Sequence, residues 1–426
     1  MEVSHSSTAN GAPTPTVSTT LAKDRSLEGL RGIASLVVVL THSLCIFFPY
    51  LSSNIHPDPA AVPKTVVDAL LIYPPFSLLY SGEGAVFVFF VLSGYVLTLK
   101  FDRSHQPGVF ETAAPRRYIR LGLPACASAM FAWTLLSLGL MGNKMAASLG
   151  LANWAGGYYP SPISFGSALV EGFIGAPLFG DVRLNGPLWT LQVELIGSIL
   201  LFACFALFAR RSSFFLCAWF LFFAIVLSGH GAGTIYYAAL LAGSQLHKVT
   251  PWLKRNPRIS SAMALVGLAL IQVNKSRWFS ALVGLHLPDL TPFGPDLSGS
   301  PLLFWRCVSA TLLVAGVIGS VGFARCLSMR VPAYLGRISF ALYLLHMPLA
   351  MSLLFWTMKW AVSMRLGFLS SVGISMVVYL ACSILLAELF TRLVDQPSIR
   401  LANRLFRNTP EQAVVPVLPP ETIGVA

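Results

Sequence analysis

Residues 27–42 read LEGLRGIASLVVVLTH, and the apolar run continues through SLCIFFPY to residue 50. A stretch of this length and character is long enough to cross the hydrocarbon core of a bilayer, which takes about 20 residues. Yet it carries Arg31 near one end and His42 past its middle. The two are eleven residues apart. At about 100° per residue they return to within about 20° of one helix face, separated by about 16 Å of rise. An ionisable side chain inside a span costs several kcal/mol, so it marks a functional candidate. Arg31 could alternatively snorkel to the interface, and His42 could bond a neighbouring carbonyl. A neutral imidazole is cheaper to bury than a fixed charge and can take a proton from a hydroxyl.

The rest of the chain repeats the pattern. Of 426 residues, 55% are hydrophobic and only 11% charged, against roughly 25% charged in soluble domains. The fold class expected is therefore all-α integral membrane: a polytopic bundle of about ten transmembrane helices. They are placed at residues 27–50, 84–100, 118–140, 188–208, 214–229, 234–247, 260–273, 302–323, 334–357 and 366–391, the sixth and seventh being short. The organisation expected is a disordered tail over 1–24, a multi-span domain over 25–400 and a C-terminal cytoplasmic tail over 401–426.

The net charge of +12 would suit nucleic acid if it were gathered on one surface, but the basic residues sit in short clusters between apolar runs. With the N-terminus inside, ten spans place 21 of the 29 basic residues on the cytoplasmic side, as the positive-inside rule requires. Both termini are then cytoplasmic, and no nucleic-acid partner is expected. The seven cysteines fall in or beside apolar runs without C-x-x-C spacing, which reads as small buried hydrophobes. No metal constellation and no G-x-S-x-G elbow is present. The loops over 51–83, 141–187 and 274–301 are rich in Pro, Gly and aromatic residues and could cap a cavity; within the second, 163–179 reads as re-entrant or interfacial.

Further polar residues stand where a bilayer should exclude them. GEGAVFVFFVLSGY (82–95) has Glu83 at the outer mouth of the second span and Ser93-Gly94 deeper. PLWTLQVE (187–194) puts Glu194 about two turns into the fourth span, with Thr190 at i−4 on the same face. An unpaired carboxylate there is so unfavourable that Glu194 must be protonated, paired or facing water. SFALYLLHMP (339–348) aligns Ser339, Tyr343 and His346 at i, i+4 and i+7, one polar stripe on an apolar helix. PRRYIRLGLP (115–124) supplies Arg116, Arg117 and Arg120 in the loop after the second span, either as topology-setting charge or as a phosphate site. Glu388, Arg392 and Asp395 read as an ion-pair ladder.

These pieces, in this order, resemble the acyltransferase-3 family of integral-membrane O-acyltransferases: Arg-x10-His after L-x-G-L-R-G, FFVLSGY, the RRxxR segment, LWTLQVE and the Ser339–Pro348 stretch. Two departures are Phe340, where tyrosine is expected, and Asp395-Gln396-Pro397 in place of E-x-P. The resemblance implies transfer of an acyl group, most often acetyl, from acyl-CoA to a hydroxyl of a carbohydrate or small molecule. It assigns His42 and Arg31 to the essential signature and sets Arg116, Arg117 and Arg120 near the CoA phosphates.

Acyl transfer to an alcohol needs a base, an oxyanion stabiliser and a thioester site. The reading is that His42 takes the acceptor proton, helped by Glu194, Ser339 or His346, that Arg31 orients the donor, and that Ser93 and Tyr343 line the substrate site. Acyl-CoA is then a co-substrate, with no bound cofactor; the lipid bilayer and a hydroxyl-bearing acceptor, natural product or glycan, are the other partners. A proton-coupled carrier or lipid flippase would also use buried Arg, His and Glu, but it would release no CoA.

Overall fold

The structure, a computed structural model, describes residues 24–52, 65–102, 109–159, 162–208, 233–274, 279–284 and 301–406. Among these residues the secondary structure is helical throughout, with no strand. The principal helices are α1 (Arg25–Phe47), α2 (Gly82–Asp102), α3 (Val109–Ser137), α4 (Trp189–Phe208), α5 (Thr234–Arg255), α6 (Pro257–Leu270), α7 (Pro301–Gly319), α8 (Arg330–Leu349), α9 (Phe368–Phe390) and α10 (Gln396–Leu405). Helix α8 runs on through a π turn into Phe355–Ser363, and α9 joins α10 through a second π turn at Thr391–Asp395. Seven of the described helices or continuous helix runs are long and apolar enough to cross a membrane. They correspond to the first four and the last three expected spans. The sixth falls within α5, the seventh overlaps the 14-residue α6 and runs three residues beyond its end, and the fifth, 214–229, lies outside the described residues, as does 1–23 of the expected N-terminal tail. The expected boundary at residue 400 falls inside α10.

Local chemistry sets the ends. Asp24 caps α1 by accepting the Ser26 N–H at 2.9 Å, and Glu28 sits in the first turn, where a carboxylate is favoured by the helix dipole. The 115–124 segment is helical, not a loop: Pro115 and Pro124 lie inside α3. The arginines there are carried on a helix, which corrects the expected loop placement.

Packing in lipid gains little from apolar burial between helices, so close backbone approach through small residues carries it. The glycines of the LEGLRG stretch do this for α1 and α8. A side chain at Gly32 would overlap the backbone of Leu335 and Gly336, and one at Gly336 would overlap Glu28 O. Helices α2 and α5 cross the same way, Gly94 against Leu240 O and Gly243 against Val91 O. The outward faces stay apolar, with Val377, Leu385, Leu389 and Leu393 exposed.

The segment after α3 is folded down onto the bundle. Gly142 N–H donates to Met351 O at 2.9 Å and Ala152 N–H to Ile46 O at 3.0 Å, while Ser352 and Trp356 both donate to Leu140 O. It is thereby clamped to the ends of α1 and α8. The 163–179 stretch forms a short helix and π turn packed on α3 and α4, with Phe165, Val170 and Phe179 exposed.

Candidate active site

The polar residues of the bundle separate into two levels. At the first, His42 on α1 meets His346 on α8: His346 Nε2 is 3.3 Å from His42 Nδ1, with ring centroids 5.0 Å apart. The proton positions follow from the backbone. His346 Nδ1 lies 2.6 Å from Tyr343 O, and His42 Nδ1 lies 3.0 Å from Val38 O. A carbonyl only accepts, so both Nδ1 atoms carry protons when the rings are neutral. His346 then presents the Nε2 lone pair to the His42 Nδ1–H, and the basic nitrogen of His42 is Nε2. His346 is fully buried and His42 half-buried. Tyr343 extends this level: its hydroxyl is 2.9 Å from that of Thr190 and donates to Pro187 O at 3.1 Å.

What holds His346 is visible one turn away. Pro348 has no N–H for the carbonyl of Leu344 four residues earlier, and a buried unpaired carbonyl is costly. Asn185 supplies the donor, Nδ2 to Leu344 O at 2.7 Å. Tyr379 donates to His346 O at 3.0 Å from α9. Asn185 is itself set by its strap: Tyr159 Oη donates to Leu184 O at 3.0 Å, and the Leu184 N–H donates to the buried Glu171 at 2.6 Å. Neither Asn185 nor Tyr379 was singled out from the sequence; the unserved Leu344 carbonyl implied by Pro348 was the available signal for Asn185, and no local pattern pointed to Tyr379.

The second level centres on Glu194. Arg117 Nη2 lies 2.5 Å from Glu194 Oε1 and 2.9 Å from Ser93 Oγ, and Ser93 donates to the same carboxylate oxygen at 3.2 Å. Arg31, half-buried on α1, has Arg120, Glu194, Glu28 and Asp395 as its charged neighbours. Glu194 is thus the partner of Arg117, one turn along α4 from Thr190 and the histidine level.

In the RRxxR segment the turn of about 100° per residue separates Arg117 from Arg116, while Arg120, four residues after Arg116, returns to nearly the same face. Arg117 points inward, Arg116 donates to Phe406 O after α10, and Arg120 is exposed near Arg31. Ser339 is buried, and its hydroxyl bonds Gly336 O of its own helix at 2.8 Å, so it shares a face with His346 without joining the pair. The ladder is rearranged: Glu388 accepts from Arg392 and from the fork of Arg337, while Asp395 belongs to the surroundings of Arg31.

Chemically the two levels differ. A histidine pair with a defined lone pair can move a proton. The second level gathers the guanidinium groups of Arg31, Arg117 and Arg120 with the carboxylates of Glu194, Glu28 and Asp395, and its forked donors can meet an anionic group there.

Comparison with known proteins identifies the family. The Acyl_transf_3 family model, described as an acyltransferase domain, matches residues 24–388. Acyltransferase R4 of Phoma sp. (strain ATCC 20986 / MF5453) is 25% identical over 89% of this chain and 95% of its own length. O-acetyltransferase PaAT-1 of Phomopsis amygdali is 26% identical over 88% of this chain and 83% of its own. Acyltransferase clz18 of Cochliobolus lunatus is 23% identical over 90% and 95%. No solved structure matches.

Proposed function

This chain belongs to the acyltransferase-3 family, and on that premise we propose that it is a membrane O-acyltransferase moving an acyl group, acetyl first, from acyl-CoA to a hydroxyl of a small molecule or carbohydrate. The observation that carries the reading is the His42–His346 contact with its backbone-defined tautomers. His42 Nε2 takes the proton of the acceptor hydroxyl. The alkoxide oxygen attacks the thioester carbonyl, the C–S bond breaks, and the proton passes from Nε2 to the departing sulfur, giving ester, free CoA thiol and neutral His42. As His42 becomes imidazolium, its Nδ1–H donates more strongly to Val38 O and His346 Nε2, which stabilises the cation without a buried carboxylate.

The donor fits the same axis. Arg31 stands about 16 Å along α1 from His42, at the level of Arg120 and the Arg117–Glu194 pair. Guanidinium groups bind phosphate through forked donors, and the extended pantetheine arm spans the interval to the histidines. A name among the relatives, O-acetyltransferase, supports acetyl as the first donor to try.

The test is acetyl-CoA turnover by the purified full chain in nanodiscs, following thiol release with alcohols and cell extracts as acceptors. Wild type should release CoA, and His42→Ala and Arg31→Ala should each lose at least ~100-fold. Near-normal turnover by a folded His42→Ala protein would overturn the assignment of the base.

A further inference from the structure

The N-terminal turns of α2, α4, α5 and α7 meet in a second polar cluster, outside both levels described above. Glu83 on α2 accepts the Tyr236 hydroxyl of α5 at 3.0 Å and pairs through its other oxygen with Arg306 of α7. The Tyr236 ring is enclosed by Phe87 at 5.0 Å, Phe90 at 5.8 Å and Trp189 of α4 at 4.9 Å. From this we propose an acceptor-recognition site formed by Arg306, Glu83, Tyr236 and Trp189, built for a neutral molecule that carries a second hydroxyl or carbonyl oxygen beside an apolar ring face. The proposal rests on the acyl-transfer reading above and names the class of acceptor it uses.

Three observations support it. The cluster borders the base: Gly82, next to Glu83, packs against Thr41, next to His42. Tyr236 is an electrostatic neighbour of Tyr343, whose ring is 5.7 Å from that of His346. Second, Arg306 is incompletely used. Its side chain is 12% exposed and reaches Glu83 through one nitrogen, and its other N–H groups make no hydrogen bond to the described residues. A guanidinium has five donors, so those not given to Glu83 are available to an acceptor. Third, the Glu83 side chain stays 32% exposed within the pair, which leaves its carboxylate open on one side.

The chemistry selects the ligand. Arg306 and Glu83 sum to no net charge, so a full anion would meet Glu83 as well as Arg306. A hydroxyl suits both: its oxygen accepts from Arg306 and its proton goes to Glu83. The half-buried Trp189 adds a flat apolar surface for the ring that carries the hydroxyl.

The experiment uses the full chain in nanodiscs with acetyl-CoA and three acceptor probes: cyclohexanol, trans-cyclohexane-1,2-diol and trans-2-hydroxycyclohexanecarboxylate. Wild type is expected to show a KM for the diol at least tenfold below those for the other two. Tyr236→Phe, and separately the paired Glu83→Met with Arg306→Met, should raise the diol KM at least fivefold while the KM for acetyl-CoA moves less than twofold. Tyr236→Phe removes a single hydroxyl and keeps the test open should the paired variant fail to fold. Equal KM values for diol and cyclohexanol, preference for the carboxylate, or a diol preference that survives in Tyr236→Phe would overturn the proposal. Thiol release that none of the probes accelerates would overturn it and leave acyl transfer standing. No thiol release from wild type with any alcohol or extract would remove the acyl-transfer reading and this proposal with it.

Discussion

His346 Nε2 approaches His42 Nδ1 to 3.3 Å although 304 residues separate them in the chain. Each ring is turned toward the other by a carbonyl of its own helix, Tyr343 O and Val38 O. The arrangement resembles a base and its orienting partner in which a neutral imidazole stands where a carboxylate often does.

If the pair acts as a unit, its losses should not add. His42→Ala is expected to reduce acetyl-CoA turnover by ~100-fold or more and His346→Ala by at least ~10-fold, the double variant being no worse than His42→Ala. Steady-state kinetics of the three proteins decides it; multiplicative losses would mean the two residues act separately.

Glu194 and Arg117 share a buried contact. Removing one leaves the other charged and uncompensated, so Glu194→Leu should cost ~3–5 kcal/mol. The paired Glu194→Leu, Arg117→Met variant should recover most of that stability in a thermal melt while remaining poor in acyl-CoA KM. Equal melting losses in the single and paired variants would contradict the pairing.

Asn185 serves the carbonyl that Pro348 leaves without a donor. Asn185→Ala should lower stability by ~1–3 kcal/mol. In a Pro348→Ala background, where residue 348 regains its N–H, the same change should cost less than half as much. A double-mutant cycle on thermal stability reads the coupling directly.

Two glycine substitutions should behave oppositely. A Cβ at Gly243 overlaps Val91 O across the α2–α5 crossing, whereas one at Gly373 in α9 meets nothing within 4 Å. Gly243→Ala is expected to destabilise by several kcal/mol or to prevent folding, and Gly373→Ala to stabilise by ~0.5–1 kcal/mol. Expression yield and melting temperature in one detergent separate the two.

Much of the site was legible because a bilayer excludes polar groups so strongly that each exception stands out. Arg31, His42, Ser93, Glu194, Ser339, Tyr343 and His346 were all visible as exceptions. Their partners were not. Helical spacing set Ser339 and His346 on one face, yet Ser339 is turned to Gly336 O and His346 to His42. Arg116, Arg117 and Arg120 look like one cluster in the sequence, yet Arg117 binds Glu194, Arg116 binds Phe406 O and Arg120 is exposed beside Arg31. Glu83 was visible at a helix mouth, but Tyr236, Trp189 and Arg306 come to it from three other helices.

The sequence by itself determined the class of molecule: apolar runs of bilayer length, few charges and basic residues between the runs leave a helical membrane protein as the physical solution. It also determined which polar residues stand where a bilayer makes them costly. Only the tertiary structure decided which groups partner which, assigning Glu194 to Arg117, His42 to His346 and the carbonyl of Leu344 to Asn185. The reason is that a local pattern states what a side chain needs, whereas its supplier is chosen by helix rotation and crossing, which depend on small-residue contacts between segments far apart in the chain.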